Sequence, residues 1–443
     1  MPAAPLERAI LVGLDLKGRT SRSAASSSET LTSVEESLQE LAVLAESAGA
    51  EVIDQVLQSR DTAQASTLIG SGKVRELADQ VKAASINVVI FDRELTPTQQ
   101  RNLESELECK VVDRTQLILD IFARRARTRE GQLQVELAQL NYLLPRLAGR
   151  GIQMSRLGGG IGTRGPGETQ LEMDRRKIQQ RISKIEESVE SVRAGRGIQR
   201  RQRQSVPLAT VSLVGYTNAG KSTLFNRLTG AGVMADARMF ATLDPTVRQF
   251  TLPSNRRVLL SDTVGFIRNL PTTLVRAFRA TLEEVTEAAL LLHVVDASAE
   301  QAPEYARHVL DVVREIGAEQ TPQIVVLNKL DRLPPGESDP AAVTNRVIGG
   351  LATERGVPSP AIISALTGEG IPELLRRIDL LLPVDPVTRA RFRIPHAEGA
   401  AIHTLHEYAR VISKRADDDY SEIEAEVPES VKRRLIQFLA PER

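Results

Sequence analysis

A single cysteine, Cys109, stands in 443 residues, so no disulfide can form within the chain. That scarcity fits a reducing compartment, and a thiol beside the apolar segment Lys110 to Val112 reads as structural rather than reactive. Long apolar runs are missing too. No stretch nears the roughly eighteen residues that cross a bilayer, and the N-terminus lacks the basic-then-apolar pattern of a secretory signal. The expected location is cytoplasmic. Net charge is also missing, with 57 Lys and Arg against 57 Asp and Glu. At this length roughly two to four domains are expected, each with enough core to fold.

The zero balance conceals a basic island. Residues 1–121 carry 12 basic against 19 acidic side chains, residues 122–205 carry 18 against 8, and residues 206–443 carry 27 against 30. A basic middle suggests a polyanionic partner. Within it, Leu133, Leu137, Leu140, Leu144 and Leu147 recur at 4-3-4-3 spacing, as do Ile178, Ile182, Ile185, Val189 and Val192. Each set puts one apolar seam on a helix, and two seams can close as an antiparallel hairpin. Gly149 to Gly167 joins them with 8 glycines in 19 residues, with Arg150, Arg156 and Arg164 and no acid. Glycine permits close backbone approach to RNA phosphates and arginine pairs with them. The plainer reading is a flexible linker.

Residues 215 to 222 form a complete phosphate loop, Gly215-Tyr216-Thr217-Asn218-Ala219-Gly220-Lys221-Ser222, with Thr223 opening a helix behind it. The apolar run Leu208 to Val214 before it reads as a buried strand. This is the strand–loop–helix context in which backbone amides and a helix N-terminus cradle phosphates. Lys221 would neutralise the β and γ phosphates, and Ser222 would ligate Mg²⁺. Asp262-Thr263-Val264-Gly265 follows the strand Arg257 to Ser261; its carboxylate can hold Mg²⁺ through water and its glycine amide can sense the γ-phosphate. Asn328-Lys329-Leu330-Asp331 follows the strand Gln323 to Leu327. Its aspartate can accept from the N1–H and 2-amino groups of guanine, whereas adenine offers an acceptor at N1 and no 2-amino donor. Ser364-Ala365-Leu366, after the strand Pro360 to Ile363, supplies backbone for guanine O6. Four ordered motifs on four strand ends predict a GTP/GDP site.

The hydrolytic apparatus is sparer. Many GTPases place a water-orienting glutamine just after D-x-x-G. Here the position is Phe266, which cannot orient water, so slow intrinsic turnover is expected. Asn218 resembles the asparagine that helps to hold a K⁺ ion beside the phosphates in several loops of the N-A-G-K-S type; the other reading is an asparagine that simply tolerates a turn dihedral. A switch segment must supply a threonine that ligates Mg²⁺ only while the γ-phosphate is present. In Met239-Phe240-Ala241-Thr242-Leu243-Asp244-Pro245-Thr246 both Thr242 and Thr246 qualify by chemistry.

Residues 8–113 alternate strands (Ala9 to Leu14, Glu51 to Leu57, Asn87 to Phe91, Lys110 to Val112) with amphipathic helices, which predicts a small parallel sheet. Gly70-Ser71-Gly72-Lys73 lacks the spacing of a phosphate loop and reads as a helix cap. After Pro383 and Pro386 the pattern predicts strands at Arg391 to Ile394 and Tyr420 to Val427, a helix over Gly399 to Lys414 and a closing helix over Val431 to Leu439. The fold expected is multi-domain α/β. Its parts are an N-terminal α/β domain (1–115), a basic hairpin (116–205), a P-loop GTPase domain (206–384) and a small C-terminal α+β domain (385–443).

The run Ser155-Arg156-Leu157-Gly158-Gly159-Gly160-Ile161-Gly162-Thr163-Arg164-Gly165-Pro166-Gly167-Glu168-Thr169-Gln170-Leu171-Glu172, with Asp174-Arg175-Arg176, resembles the signature of the HflX family. The phosphate loop, Phe240 to Thr246, and Ile69 to Lys73 extend the likeness over nearly the whole chain. The resemblance favours Thr242 as the switch threonine. It implies a bacterial GTPase, slow alone and stimulated by ribosomes, that binds the large (50S) ribosomal subunit and its rRNA and splits stalled ribosomes under stress. A monomer is expected, with peripheral association to ribosomes or membrane. Competing readings are a ribosome-assembly GTPase and an RNA-binding module for which GTP is a structural ligand.

Overall fold

The computed structural model describes residues 6–16, 26–147, 166–204, 208–232, 239–240, 242–268, 284–334, 339–348, 360–382, 387–417 and 419–440. Strands β1 (Glu7–Leu16), β2 (Ala50–Arg60), β3 (Val88–Phe91) and β4 (Lys110–Asp113) form an all-parallel sheet in the order β2-β1-β3-β4. The side-chain period of two splits β1 between two cores. Ile10, Val12 and Leu14 pack with Leu77, Phe91 and Leu103, whereas Ala9 and Leu11 pack with Leu38, Leu41 and Phe122. The crossovers are α1 (Ser26–Ser47), α2 (Ser71–Ala83) and α3 (Pro97–Leu107). As expected, Gly70 is the N-cap of α2, and its amide donates to Gln58 Oε1 at 2.9 Å. Cys109 packs at the edge of this core, where burial and Glu104 push its thiol up to about 11, too high for a reactive thiolate.

Helices α4 (Arg114–Arg125), α5 (Arg129–Leu147) and α6 (Pro166–Gln204) follow. Ile182, Ile185 and Val189 of the expected α6 seam are buried, and the five α5 seam leucines are half-buried. Arg181 donates to Glu136 at 2.7 and 2.9 Å, tying the two helices together. A single seam on α5 is nevertheless too simple. Its deeply buried face is Val135, Ala138 and Tyr142, which joins the core of α1 and α4. The helix is thus fastened along one side to the N-terminal domain. Residues 149–165 of the glycine-rich connection, with Arg150, Arg156 and Arg164, lie outside the described residues, while Pro166 and Gly167, expected in that connection, open α6.

The second sheet runs β10-β9-β8-β5-β7-β6: β10 (Ala361–Ile362), β9 (Gln323–Asn328), β8 (Leu290–Asp296), β5 (Thr210–Gly215), β7 (Arg257–Asp262) and β6 (Thr246–Thr251). Only the β6–β7 pair is antiparallel among the pairings described. The central strand β8 is absent from the strands read off the sequence, although Leu-Leu-Leu-His-Val-Val is buried throughout. Around the sheet lie α7 (Lys221–Thr229), α8 (Ala302–Glu315), α9 (Pro340–Ile348) and α10 (Ile371–Leu381).

The C-terminal unit holds an antiparallel sheet, β11 (Val387–Pro395), β12 (Arg410–Ala416) and β13 (Tyr420–Pro428), in the order β11-β13-β12. Here the sequence misleads. The helix expected to reach Lys414 is α11 (Gly399–Tyr408), ended by Ala409 in extended conformation, and the next residues are strand β12. The 402, 405, 409, 412 spacing fits a helix, but β-branched Val411 and Ile412 suit the strand and Arg410 meets Glu426 across it at 3.6 Å. The closing helix is also shorter, α12 (Glu429–Arg434) and then a 3₁₀ turn Ile436–Phe438, because Leu439 bridges to Phe392. Among the described residues no helix is long and apolar enough to cross a membrane.

Candidate functional site

The phosphate loop leaves β5 at Gly215, where an added Cβ would run into the Val294 carbonyl of β8. At its far end Gly220, with φ +94°, caps α7, and a side chain there would overlap Asn328 Nδ2. Both glycines are required by close approach. Lys221 is buried and donates to the Gly215 and Tyr216 carbonyls at 3.0 and 2.8 Å. Burial pushes its ammonium down to about 8, against the upward pull of Asp262, so a polyphosphate placed here restores the charge the site disfavours. The loop borders a 330 Å³ cavity that runs from Lys221, Ser222 and Thr242 to Asp331 and Ala365.

Three oxygens converge at one end of that cavity. Ser222 Oγ and Thr242 Oγ1 are 2.9 Å apart, and each donates to Asp262 Oδ2 at 2.8 Å. Asp262 Oδ1 is buried without a hydrogen-bond partner among the described residues. Burial raises the Asp262 carboxyl while Lys221 opposes the shift. Two hydroxyls and a carboxylate with an unsatisfied oxygen are the hard donor set that a hydrated Mg²⁺ takes, so the residues fit that ion. Gly265 lies close by: a Cβ on it would stand 3.0 Å from Lys221 Nζ and 2.9 Å from Thr217 Cα.

The opposite end is fastened by Asn328. Its Nδ2 donates to the Ala219 carbonyl and its Oδ1 accepts from the Ala365 amide, both at 2.9 Å, which joins the phosphate loop to the Ser364-Ala365-Leu366 turn. Lys329, in left-handed conformation, pairs with Asp296 at 2.6 Å. Asp331 is exposed at the rim, and its Oδ1 accepts from Ser364 Oγ at 2.5 Å. Arg227 of α7 holds the Ala365 carbonyl at 3.1 Å.

Several motif residues point elsewhere. Tyr216 turns from the cavity, stacks on Tyr305 at 4.0 Å and donates to Glu40 of α1. Thr263 Oγ1 is spent on the Leu213 carbonyl at 2.6 Å, and Val264 and Leu243 are core residues. Phe266 is buried in the same core, so that position offers no hydrogen bond to water. Asp244 accepts from the backbone of Arg127 and Thr128 at 2.9 Å each. Thr223 and Phe240 line the cavity, and Leu330 lies half-buried beside it in a 3₁₀ turn; Ala241 is outside the described residues. Asn218 is exposed with φ +60°.

Sequence reasoning missed the node behind the phosphate loop. Arg114 of α4 pairs with Glu40 and with Asp92 at 2.7 Å, all three buried. Burial alone would lower the guanidinium, but Glu40 and Asp92 outweigh it and hold it charged. The Arg268 amide donates to Tyr216 Oη at 2.8 Å, and its side chain meets Glu36 and Glu304. Beside this node a 220 Å³ cavity receives His293, buried with neither ring nitrogen bonded among the described residues. No motif announces these partners; the signal in the sequence was His293, a polar residue inside the apolar run Leu290 to Val295.

A mostly parallel sheet with a phosphate loop after β5, a Ser–Thr–Asp oxygen cluster and an N-K-x-D turn locked to that loop define a P-loop GTPase. Three family models match: "GTP-binding GTPase N-terminal" over residues 35–123, "GTP-binding GTPase Middle Region" over 125–203 and "50S ribosome-binding GTPase" over 210–329. The GTPase HflX of Caldanaerobacter subterraneus subsp. tengcongensis is 47% identical, over 91% of this chain and 90% of that protein. The GTPase HflX of Escherichia coli is 45% identical over 87% and 88%. A GTP-binding protein of Sulfolobus solfataricus, solved with GDP, is 25% identical over 85% of this chain and 98% of its own, with a TM-score of 0.43. The chain belongs to the HflX family of GTPases. It hydrolyses GTP, and membership brings guanine-nucleotide binding that generally uses Mg²⁺.

Proposed function

We propose that this GTPase is a GTP-controlled factor that binds the large (50S) ribosomal subunit, is stimulated by it, and splits or rescues stalled ribosomes under stress. The observation that carries the nucleotide control is the meeting of Thr242 with Ser222 and Asp262, because a switch threonine at the metal end makes the segment's position depend on the γ-phosphate. The 50S partner is supported by the family model over residues 210–329 and by the basic island.

In this reading the loop amides and Lys221 hold the β and γ phosphates, Gly265 faces the γ-phosphate, and Asp331 and Ala365 read guanine. Ser222 and Thr242 ligate Mg²⁺, with Asp262 behind them; when bound, the ion supplies positive charge against the phosphates. Phe266 donates nothing to water, so attack relies on positioning that the partner completes. Arg150, Arg156 and Arg164 meet rRNA phosphates.

Co-sedimentation with 50S and 70S particles tests the reading. Retention on 50S with a GTP analogue but not GDP, and separated subunits from 70S, are expected. Arg156→Ala with Arg164→Ala should weaken 50S binding and flatten its salt dependence, while nucleotide affinity stays unchanged. Nucleotide-independent retention, or 70S particles left intact, overturns the respective part.

A further inference from the structure

Helix α5 begins with a capping box whose second half is missing from its own sequence. Thr128 is the N-cap residue: its Oγ1 accepts from the Gly131 amide at 3.0 Å, and its carbonyl accepts from the Gln132 amide. In such a box the residue three places on, usually Glu or Gln, reaches back to the N-cap amide. Here that residue is Gly131, which has no side chain. The acceptor comes instead from the switch segment, 116 residues away. Asp244 Oδ2 accepts from the Thr128 and Arg127 amides at 2.9 Å each, and Oδ1 accepts from the Thr128 hydroxyl. A Cβ on Gly131 would collide with Asp244 Oδ1, so the glycine is the space that the foreign carboxylate fills.

The same segment is docked at two further points. The Met239 amide donates to Ser47 Oγ at 3.1 Å, and Phe240 stands edge-on to Phe122 with ring centroids 4.6 Å apart. Thr242 therefore lies between Phe240, held on α4, and Asp244, held on α5.

We propose that Asp244 is a positioning residue that shares one capping box between the switch segment and the hairpin helix, so that placing Thr242 for a GTP-bound Mg²⁺ and fixing the start of α5 are one event. This rests on the reading of Thr242 as a metal ligand. The carboxylate satisfies amides that α5 otherwise leaves open at its positive end. Linkage makes the effect reciprocal: a γ-phosphate that orders the segment secures α5, and a partner that fixes α5 raises affinity for GTP over GDP.

The test measures affinities of the full chain for a non-hydrolysable GTP analogue and for GDP, both with Mg²⁺. Asp244→Ala is expected to weaken the analogue about tenfold and GDP less than about twofold. Gly131→Ala, outside the nucleotide motifs in sequence and favourable to helix propensity, is expected to do the same by displacing the Asp244 carboxylate. Asp244→Asn, which keeps a capping oxygen, is expected to recover part of the loss. In hydrogen exchange of the wild type, the peptide over residues 126–131 should be better protected with analogue than with GDP. If Thr242→Ala loses analogue selectively while Asp244→Ala and Gly131→Ala match the wild type, the shared cap is overturned and the metal reading stands. If Thr242→Ala weakens both nucleotides equally or neither, the metal reading fails and takes the proposal with it.

Discussion

Tyr216, the second residue of the phosphate loop, donates its hydroxyl to Glu40 on the N-terminal helix α1, across 176 residues of sequence. Glu40 is held from the other side by Arg114, and the same phenol oxygen accepts from the Arg268 amide, just beyond the Asp262–Gly265 motif. Two nucleotide motifs and the N-terminal domain thus meet on one buried tyrosine. Burial and the Glu40 carboxylate both drive the phenol upward, so it remains a donor at every relevant pH.

Tyr216→Phe removes that hydroxyl while keeping the stack on Tyr305. Glu40 loses a donor and the Arg268 amide an acceptor, which should lower stability by about 1.5–3 kcal/mol. Glu40→Gln made on top of Tyr216→Phe should add less than it does alone, because both changes touch one network. Chemical denaturation of the wild type, the two single variants and the double variant measures the coupling; strict additivity contradicts the shared network.

What was legible beforehand follows from the range of each interaction. The phosphate loop, Asp262 to Gly265, Asn328 to Asp331 and Ser364 to Leu366 are local strings on strand ends, and apolar runs mark most of those strands. Strand β8 escaped because His293 interrupts its pattern, and β12 because four residues chanced to fit a helical period. Asp244 stands in the switch segment with Thr242, yet its carboxylate is turned to Arg127 and Thr128. That destination depends on Gly131, a contact no local motif encodes.

His293 gives the stability a pH dependence with a defined sign. Burial, helped by Lys221, pushes its imidazole down to about 4. The unfolded chain takes the proton near 6.5. Since the folded value is the lower one, the unfolded state gains protons first as pH falls. Stability is full above about 6.5 and falls by about 3 kcal/mol on approach to pH 4. His293→Leu should flatten that window while leaving stability at pH 8 equal or higher. A wild-type melting temperature that holds level between pH 7 and pH 5 contradicts the assignment.

Asn218 can be tested so that its two roles separate. Its φ of +60° suits glycine as well as asparagine, whereas alanine would be strained there. Asn218→Gly keeps the turn and removes the carboxamide. If the side chain helps to hold K⁺ beside the phosphates, wild-type turnover is faster in K⁺ than in Na⁺ at fixed Mg²⁺, and the glycine variant loses the difference. Retention of the K⁺ advantage by the variant leaves Asn218 as a turn residue only.

Asp331 sits at the open end of the cavity, where Ser364 Oγ donates to its Oδ1 at 2.5 Å and itself accepts from the Thr367 amide at 3.1 Å. One carboxylate oxygen is thereby steadied and the other left to a base. A guanine offers N1–H and a 2-amino group to such a carboxylate, and Asp331→Asn replaces an acceptor by a donor. Loss of about 2–4 kcal/mol in GTP affinity is expected, with xanthine nucleotide gaining because it presents a carbonyl where guanine has its amine. Ser364→Ala should weaken GTP much less, since it frees the carboxylate without changing what it offers. Isothermal titration with GTP, XTP and ATP reads all three proteins. Equal binding of ATP and GTP by the wild type, or an unchanged GTP-to-XTP preference in Asp331→Asn, would remove Asp331 from the base site.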